Sequence, residues 1–140
     1  MEREFIPYEQ ALALKELGFD EPCIQQYSYD GAIMFCVNDW GQPRLKTNKQ
    51  SYSDSGGDCI SAPTFSQAFR WFRKKYDLHP SFTRYKSSSI NREPTIFTHL
   101  YEIQIIDENA DKIFHVGDFN SLEEAELECL KKLIEIVKQK

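Results

Sequence analysis

The sequence has little of what usually identifies a chemistry. Its 140 residues include only three histidines, four cysteines and six glycines. The cysteines show no CxxC spacing, and two of them sit inside apolar runs, which predicts buried, reduced thiols rather than a disulfide framework. The one glycine pair lacks the lysine of a phosphate-binding P-loop, and no helix start follows it directly. These residues therefore indicate no recognisable catalytic centre.

Long apolar runs are also missing. None approaches the roughly 20 residues that span a bilayer, and the first ten residues, MEREFIPYEQ, contain no apolar core of a secretion signal. A chain of 140 residues is long enough to bury about two thirds of its unfolded surface. We therefore expect one soluble, cytoplasmic domain over residues 1–140 that folds without a metal, a disulfide or a cofactor.

Two groups of residues suggest a catalytic or metal site, and each fails on its context. SDSGGD at residues 53–58 resembles the segment around the nucleophile of chymotrypsin-like serine proteases, but all three histidines follow it, whereas that family's histidine precedes the serine. His99 and His115 fall on two strands of one predicted hairpin. Pairing Asp107 with Lys112 separates these histidines by five residues, or about 16 Å. We predict no catalytic and no metal-binding residue.

The net charge of −5 is unevenly distributed. Residues 64–92 hold seven bases against one acid, a net charge of +6, whereas residues 1–43 and 93–140 each carry −6. A basic segment between two acidic ones is compatible with a solvated helix face and internal ion pairs. It is equally compatible with a surface that binds an anion.

The clearest helix lies in this basic segment, over Pro63–Leu78. Thr64 and Gln67 have the spacing of a capping box, in which each side chain bonds the other residue's backbone N–H. Aromatic residues recur at helical spacing while the cations fall on other faces, which predicts an amphipathic helix with an aromatic core side. His79-Pro80 should end the helix near Leu78.

The N-terminal half predicts a short helix and a hairpin. Pro7–Leu17 has proline at its first position and Gly18 just past its end, as short helices often do; its buried side is predicted to be Tyr8, Ala11, Leu12 and Leu14. Asp30-Gly31 between two strand-like runs predicts a hairpin with a type I′ turn. The apolar run Ala32–Val37 should be a central strand.

Two polar segments interrupt the pattern. Residues 38–61 show little periodicity, which is compatible with a mobile segment, a functional one, or a short strand around Leu45. We expect a long flexible loop that acts as a lid or arm. Residues 86–94 are serine-rich and form a second break. Between the central helix and this break, Ser81–Lys86 alternates as a short edge strand does.

The C-terminal third predicts a long antiparallel hairpin and a helix. Phe97 to Ile105 alternates, residues 107–111 turn the chain, and Ile113 to Phe119 returns. Ser121 and Glu124 form a second capping box, and the final helix is acidic at its start and basic at its end, in agreement with the helix dipole. Its buried face should comprise Leu122, Ala125, Cys129, Leu133, Ile136 and Val137.

The fold class is therefore α+β, in the order α-β-β-loop-α-(β)-β-β-α, with three helices packed on an antiparallel sheet of two hairpins. We expect one core made of Phe35, Val37, Phe65, Phe69, Phe72, Ile103, Ile105, Phe114, Val116, Leu133 and Ile136. From Thr64 onward the order matches that of double-stranded RNA-binding domains. Those domains begin the last helix with lysines, whereas this chain reads SLEEAELE there, so we do not predict that function.

The candidate binding surface combines cations with flat rings around residues 70–86. Such a combination binds phosphates through charge and bases through stacking. The predicted ligand-binding residues are Arg70, Trp71, Arg73, Lys74, Lys75, Arg84, Tyr85 and Lys86, with Tyr76 and Phe82 interleaved among them.

Three stretches, FIPYEQALALKELGFDEPC, APTFSQAFRWFRKKYDLHP and EEAELECLKKLIEIVK, resemble a family of small uncharacterised proteins encoded by bacteriophages and prophages. The resemblance covers both ends and the central helix. It carries no known activity and no site residues. It implies a non-structural phage protein acting in the bacterial cytoplasm.

Three functions compete. The first, which we favour, is a non-enzymatic protein that binds an anionic ligand: a nucleotide, such as a cyclic oligonucleotide signal sequestered to counter host defence, or single-stranded nucleic acid. The second is a protein-interaction module that engages a host or phage protein. The third is an unrecognised enzyme. No membrane partner is predicted, and a homo-oligomer is compatible with each.

Overall fold

The computed structural model describes residues 4–28, 30–36, 40–42, 45, 47–48, 59–88 and 97–140. These residues form three helices and two antiparallel sheets of three strands each, so the predicted α+β class is confirmed. The strands make two sheets where we expected one. The chain divides into two compact units, Met1–Ala68 and Phe69–Lys140. Among the described residues, no helix is long and apolar enough to cross a bilayer.

The first unit begins with helix α1, Tyr8–Glu16, close to the predicted span. Pro7 is its N-cap, and Ala11 and Leu14 are its buried residues. Gly18 follows the helix with a positive φ of 94°, and the N–H of Phe19 bonds the carbonyl of Leu14, which closes the last turn. Leu12, expected to be buried, is 37% exposed.

Three short strands complete the first unit: β1, Gln25–Tyr27; β2, Ile33–Phe35; and β3, Ile60–Ser61. The predicted hairpin around Asp30-Gly31 is confirmed, because β1 pairs antiparallel with β2. Its turn differs from the expected type I′. Ser28 donates to the carbonyl of Ala32, so the loop is longer than the two residues of that turn. Gly31 has a positive φ of 87°, and the carboxylate of Asp30 accepts the N–H of Ala32.

The prediction that Ala32–Val37 forms a central strand is wrong. The sheet order is β2-β1-β3, so β1 is central and β2 lies at an edge. Phe35, expected in the core, is 61% exposed, and Val37 lies outside the described residues. The apolar composition of this run predicts a buried strand. The position of a strand within its sheet, however, depends on pairing partners that are distant in the sequence.

Most of the segment predicted as a flexible loop, residues 38–61, lies outside the described residues. Its last two residues form β3, which is fully buried. Asn48 is anchored as well, because its side chain donates to the carbonyl of Phe19 at 2.8 Å and accepts the N–H of Ser61 at 2.6 Å. The mobility of the rest of the segment stays a prediction.

Helix α2, Phe65–Tyr76, starts in the first unit and continues into the second. The capping box is confirmed, since Thr64 and Gln67 exchange side-chain to backbone hydrogen bonds of 3.0 and 3.2 Å. The helix ends two residues earlier than expected, because Asp77 adopts a left-handed φ of 54°. His79-Pro80 lies inside the following strand.

The second sheet consists of β4, Leu78–Ser88; β5, Phe97–Asp107; and β6, Lys112–Phe119, in the order β4-β5-β6. β4 is the predicted edge strand, but it is longer than Ser81–Lys86. The predicted register of the C-terminal hairpin is confirmed, since Asp107 pairs with Lys112 and Gln104 with His115.

Helix α3, Leu122–Lys138, closes the second unit and contacts β5 and β6. Ser121 caps it as predicted, accepting the N–H of Glu124 at 3.2 Å. Its buried residues include all of the predicted face except Leu122, which is 40% exposed. Of the predicted core, seven side chains are buried: Phe65, Phe69, Phe72, Ile103, Ile105, Leu133 and Ile136. Phe114 and Val116 are half-buried.

One buried carboxylate organises the turn between β5 and β6. Asp107 is 1% exposed, and its side chain accepts the N–H groups of Asn109 and Ala110 and pairs with Lys140 at 3.0 Å. Burial opposes its ionisation, but the bonds from Lys140, Ala110 and Asn109 hold the pKa of Asp107 below its usual value. The Asn109 side chain also donates to the last carbonyl of α2, that of Tyr76.

We expect Phe69→Ala to lower the free energy of unfolding by about 3 to 5 kcal/mol, because it removes a buried ring and leaves a cavity. Urea denaturation measures this loss. Ile113→Ala, at a side chain that is 61% exposed in the same unit, should change stability by only about 0.5 kcal/mol. Equal losses in the two variants would contradict the assignment of Phe69 to the core.

Asp107→Asn should destabilise the protein by about 1 to 3 kcal/mol at neutral pH, because charge-assisted bonds are lost. A carboxyl with a lowered folded-state pKa stabilises above its unfolded value of about 4, and this stabilisation disappears as the pH falls through the folded-state pKa. The difference between wild type and variant should therefore shrink on acidification. Glu108→Gln, at an exposed neighbour, is the control. A difference that persists undiminished in acid would show that the charge of Asp107 is not responsible.

Candidate functional site

Helix α2 places three of the predicted cations on one exposed face. Arg70, Arg73 and Lys74 are spaced i, i+3 and i+4, so their side chains project from neighbouring positions of the helix surface. All three residues are exposed, whereas Phe69 and Phe72 on the opposite side are buried. We call Arg70, Arg73 and Lys74 the cationic face of α2.

Trp71 and Lys75 belong to a different surface of the helix. Trp71 is only 6% exposed and packs edge-on against Phe72 and Tyr76, with ring centres 5.1 and 5.4 Å away. The ammonium of Lys75 lies 5.1 Å from the Trp71 ring centre and 5.7 Å from that of Tyr76. Lys75 therefore covers the indole by a cation–π contact. A buried, covered ring has no open face on which a base could stack.

Strand β4 divides the remaining predicted residues between two faces. Successive side chains of a strand point to opposite sides. Phe82 packs against Phe69 of α2 at 5.6 Å between ring centres, so Arg84 and Lys86, two and four residues later, lie on the same side of the sheet as α2. Tyr85 projects from the other side. The structure thus separates Tyr85 from the cations beside it in sequence.

Tyr85 lies among acids instead. Partial desolvation, hydrogen bonding to Asp118 and the charges of Asp118 and Glu102 raise the pKa of Tyr85. Glu102 in turn lies 3.3 Å from both His115 and the amide of Gln104. Sequence reasoning paired Gln104 with His115 but missed this cluster, because Asp118 reaches Tyr85 across an intervening strand.

Arg73 and Lys74 of α2 differ from two lysines of α3 in their ion pairing. Lys131 pairs with Glu128 at 3.1 Å and Lys132 with Glu135 at 3.2 Å. In the described part of the chain, neither Arg73 nor Lys74 has such a partner. Part of their charge stabilises the carbonyl end of α2, since both lie in its last turn. Within the described ranges, no carboxylate forms an ion pair with either side chain.

The thiols do not form a reactive site. All four cysteines are buried thiols outside any disulfide. Burial raises the pKa of the Cys23 and Cys129 thiols to about 12, so these two hold almost no nucleophilic thiolate at neutral pH. Among the described residues, no three His, Cys, Asp or Glu side chains are placed to hold a metal ion.

Sequence reasoning missed one concave feature, a groove in the first unit beside Ile33 and Phe35. None of the predicted site residues lines it. The sequence feature that lies at this groove is the apolar run Ala32–Val37, which we predicted to be a central strand.

The protein-family models, the curated proteins and the solved structures offer no match to this chain, so its function has to be argued from the geometry of its own residues.

Proposed function

We propose that the protein is a non-enzymatic binding protein for a polyanion. The polyanion we propose is single-stranded nucleic acid, bound along the cationic face of α2. One observation carries the proposal: Arg73 and Lys74 stand exposed beside Arg70 with no carboxylate of the described chain to neutralise them. Positive charge kept on one face of an acidic protein is the electrostatic pattern of phosphate binding.

The shape of the surface favours a chain of phosphates over one enclosed nucleotide. Nucleotides and other small ligands bind in concavities that cover most of their surface. The cationic face of α2 is instead the outer side of an amphipathic helix. Arg84 and Lys86 project on the side of β4 where α2 lies, so they can extend the positive surface beyond the helix.

The burial of Trp71 and the position of Tyr85 bear on how the ligand is recognised. A base stacked on Tyr85 would bring its phosphates towards Asp118 and Glu102, which repel them. Recognition therefore rests on charge rather than stacking, and phosphate contacts by charge do not distinguish sequences. We propose binding without sequence preference.

The final helix argues against a double-stranded RNA ligand. α2, the second sheet and α3 have the element order of domains that bind such RNA. The first turn of α3, however, carries Glu123 and Glu124 at the position where those domains use lysines. The bacteriophage context and the role against host defence rest only on the resemblance described above.

The proposal predicts salt-dependent binding that requires the cationic face. We expect a fluorescein-labelled oligodeoxythymidylate to bind in anisotropy titrations at about 50 mM salt and to bind much more weakly at 200 mM, because neutralised phosphates release counterions. Arg73→Gln/Lys74→Gln should reduce the slope of log affinity against log salt by about 1.4, or 0.7 for each lost phosphate contact.

The matched control removes the same charge from another helix. Lys131→Gln/Lys138→Gln should bind the oligonucleotide nearly as wild type does, and both double variants should stay folded, since exposed charges contribute only about 0 to 1 kcal/mol each. If both double variants lose the same affinity, net charge rather than this face is responsible. If wild type shows no binding at low salt, the proposed function is wrong.

A further inference from the structure

The groove in the first unit has a volume of about 500 Å³. On one side of it, Phe5 forms an isolated antiparallel bridge with Thr64. On the other side lies the β1–β2 hairpin, which contributes Ile33 and Phe35. Most of the lining is apolar, and Ile24 adds a further aliphatic side chain.

The apolar side chains that line the groove are much more exposed than the side chains of the core. Ile24 and Ile33 are each 46% exposed and Phe35 is 61% exposed. Ile33 and Phe35 are two residues apart on β2, so they project to the same side of the strand. Contiguous exposed apolar surface of this kind is typical of a binding site.

Gln25 supplies a polar group in this apolar setting. It is only 7% exposed, it lines the groove, and its side-chain oxygen accepts no hydrogen bond from the described chain. Gln25 stands opposite Phe35 in the register of β1 and β2. A buried acceptor without a donor is unfavourable, so an N–H or O–H group that enters the groove would be bound there.

The hydrogen bonds of β2 leave part of its backbone facing outward. Cys36 donates to the carbonyl of Ile24, and Ser28 donates to that of Ala32, so the residues of β2 that bond β1 are the even-numbered ones. The N–H and C=O of Ile33 therefore point away from β1, towards the edge of the sheet. Within the described chain, no hydrogen bond engages them.

Among the described residues that line the groove, Glu4 is the charged one, and Gln25 presents an acceptor. The surrounding sequence has the same sign, since residues 1–43 contain eight acids and two bases. The groove thus combines apolar walls, an acceptor, a carboxylate and an outward-facing strand backbone.

We propose that this groove binds an extended segment of another protein, which pairs with the edge of β2. The segment carries apolar side chains at alternate positions, which fill the groove beside Ile33 and Phe35, and a lysine or arginine that reaches Glu4 and Gln25. Main-chain bonds to Ile33 supply affinity, and the side-chain pockets supply specificity, as in other cases of strand addition. This site is separate from the cationic face of α2.

Charge complementarity selects this occupant over a second copy of the chain. Pairing two β2 edges would bring Glu4 and the acidic N-terminal block of one copy against those of the other, and like charges across an interface are unfavourable. A basic segment has the opposite sign. An apolar small molecule would form no hydrogen bonds with the outward-facing N–H and C=O of Ile33.

The experiment is a selection of random displayed heptapeptides on the intact protein, followed by titration of the enriched peptides. We expect enriched sequences to alternate apolar residues and to contain at least one lysine or arginine. Replacing that residue by glutamate in the synthetic peptide should weaken binding about tenfold or more, and Glu4→Gln should remove most of this difference.

Variants at Ile33 separate strand pairing from simple apolar contact. Proline is tolerated at strand edges but has no N–H to donate, so Ile33→Pro should weaken peptide binding at least tenfold. Ile33→Val keeps the backbone donor and should bind nearly as wild type does. Circular dichroism and thermal melting check that both variants are folded. Arg73→Gln/Lys74→Gln should leave peptide binding unchanged, which keeps this test independent of polyanion binding.

Four outcomes would overturn the proposal. The first two are that selection enriches no sequence above background, or that it enriches acidic sequences. The third is that peptides bind the folded Ile33→Pro variant as tightly as they bind Ile33→Val, which would mean that side chains alone are recognised. The fourth is a dimer in sedimentation that Ile33→Pro dissociates, in which case the occupant of the groove is a second copy of the chain.

Discussion

The arrangement of the second unit depends on the buried carboxylate of Asp107. It fixes the β5–β6 turn through two backbone N–H groups and holds Lys140, and the same turn reaches the end of α2 through Asn109. This turn sets the register of β5 and β6 from the Asp107–Lys112 pair to the Gln104–His115 pair, and beyond it the pairing shifts by one residue. Within this stretch, a slip of one residue would turn Ile105 out of the core, because side chains alternate between the two faces.

The same alternation determines which surface residues act together. Tyr85 and Arg84 are neighbours in the sequence but lie on opposite faces of the sheet, one beside Asp118 and the other on the side of α2. A positive and an acidic surface are thereby kept apart within a single strand. Positive charge can concentrate along α2 because Glu102 and Asp118 face the other way.

Features with local signals could be predicted from the sequence. The capping box of α2, the Ser121 cap of α3, the start of each helix and the register of the C-terminal hairpin all depend on residues that are close together in the chain. The cations of α2 were predicted to be exposed for the same reason, since helical periodicity alone separates them from Phe69 and Phe72.

Features that depend on distant pairing could not be predicted. Polar Gln25 and Gln26 occupy the central strand of the first sheet because β1 pairs with both β2 and β3, and β3 lies more than thirty residues away. Trp71 looked like a stacking platform, but its burial depends on the packing of the folded helix. The groove escaped notice because it is formed by Phe5, Ile33 and Thr64, which no local pattern connects.

Two of the edge strands, β2 and β4, differ in how well they resist aggregation. β4 is eleven residues long, yet Pro80 cannot donate a hydrogen bond there and Arg84 and Lys86 place charge along the strand. β2 has neither device, and it presents Ile33 and Phe35 at its exposed side. Heat or high concentration should therefore lead to intermolecular β-sheet that grows from β2. In a cell, a partner bound to the edge of β2 would also protect this strand from pairing with other copies of the chain.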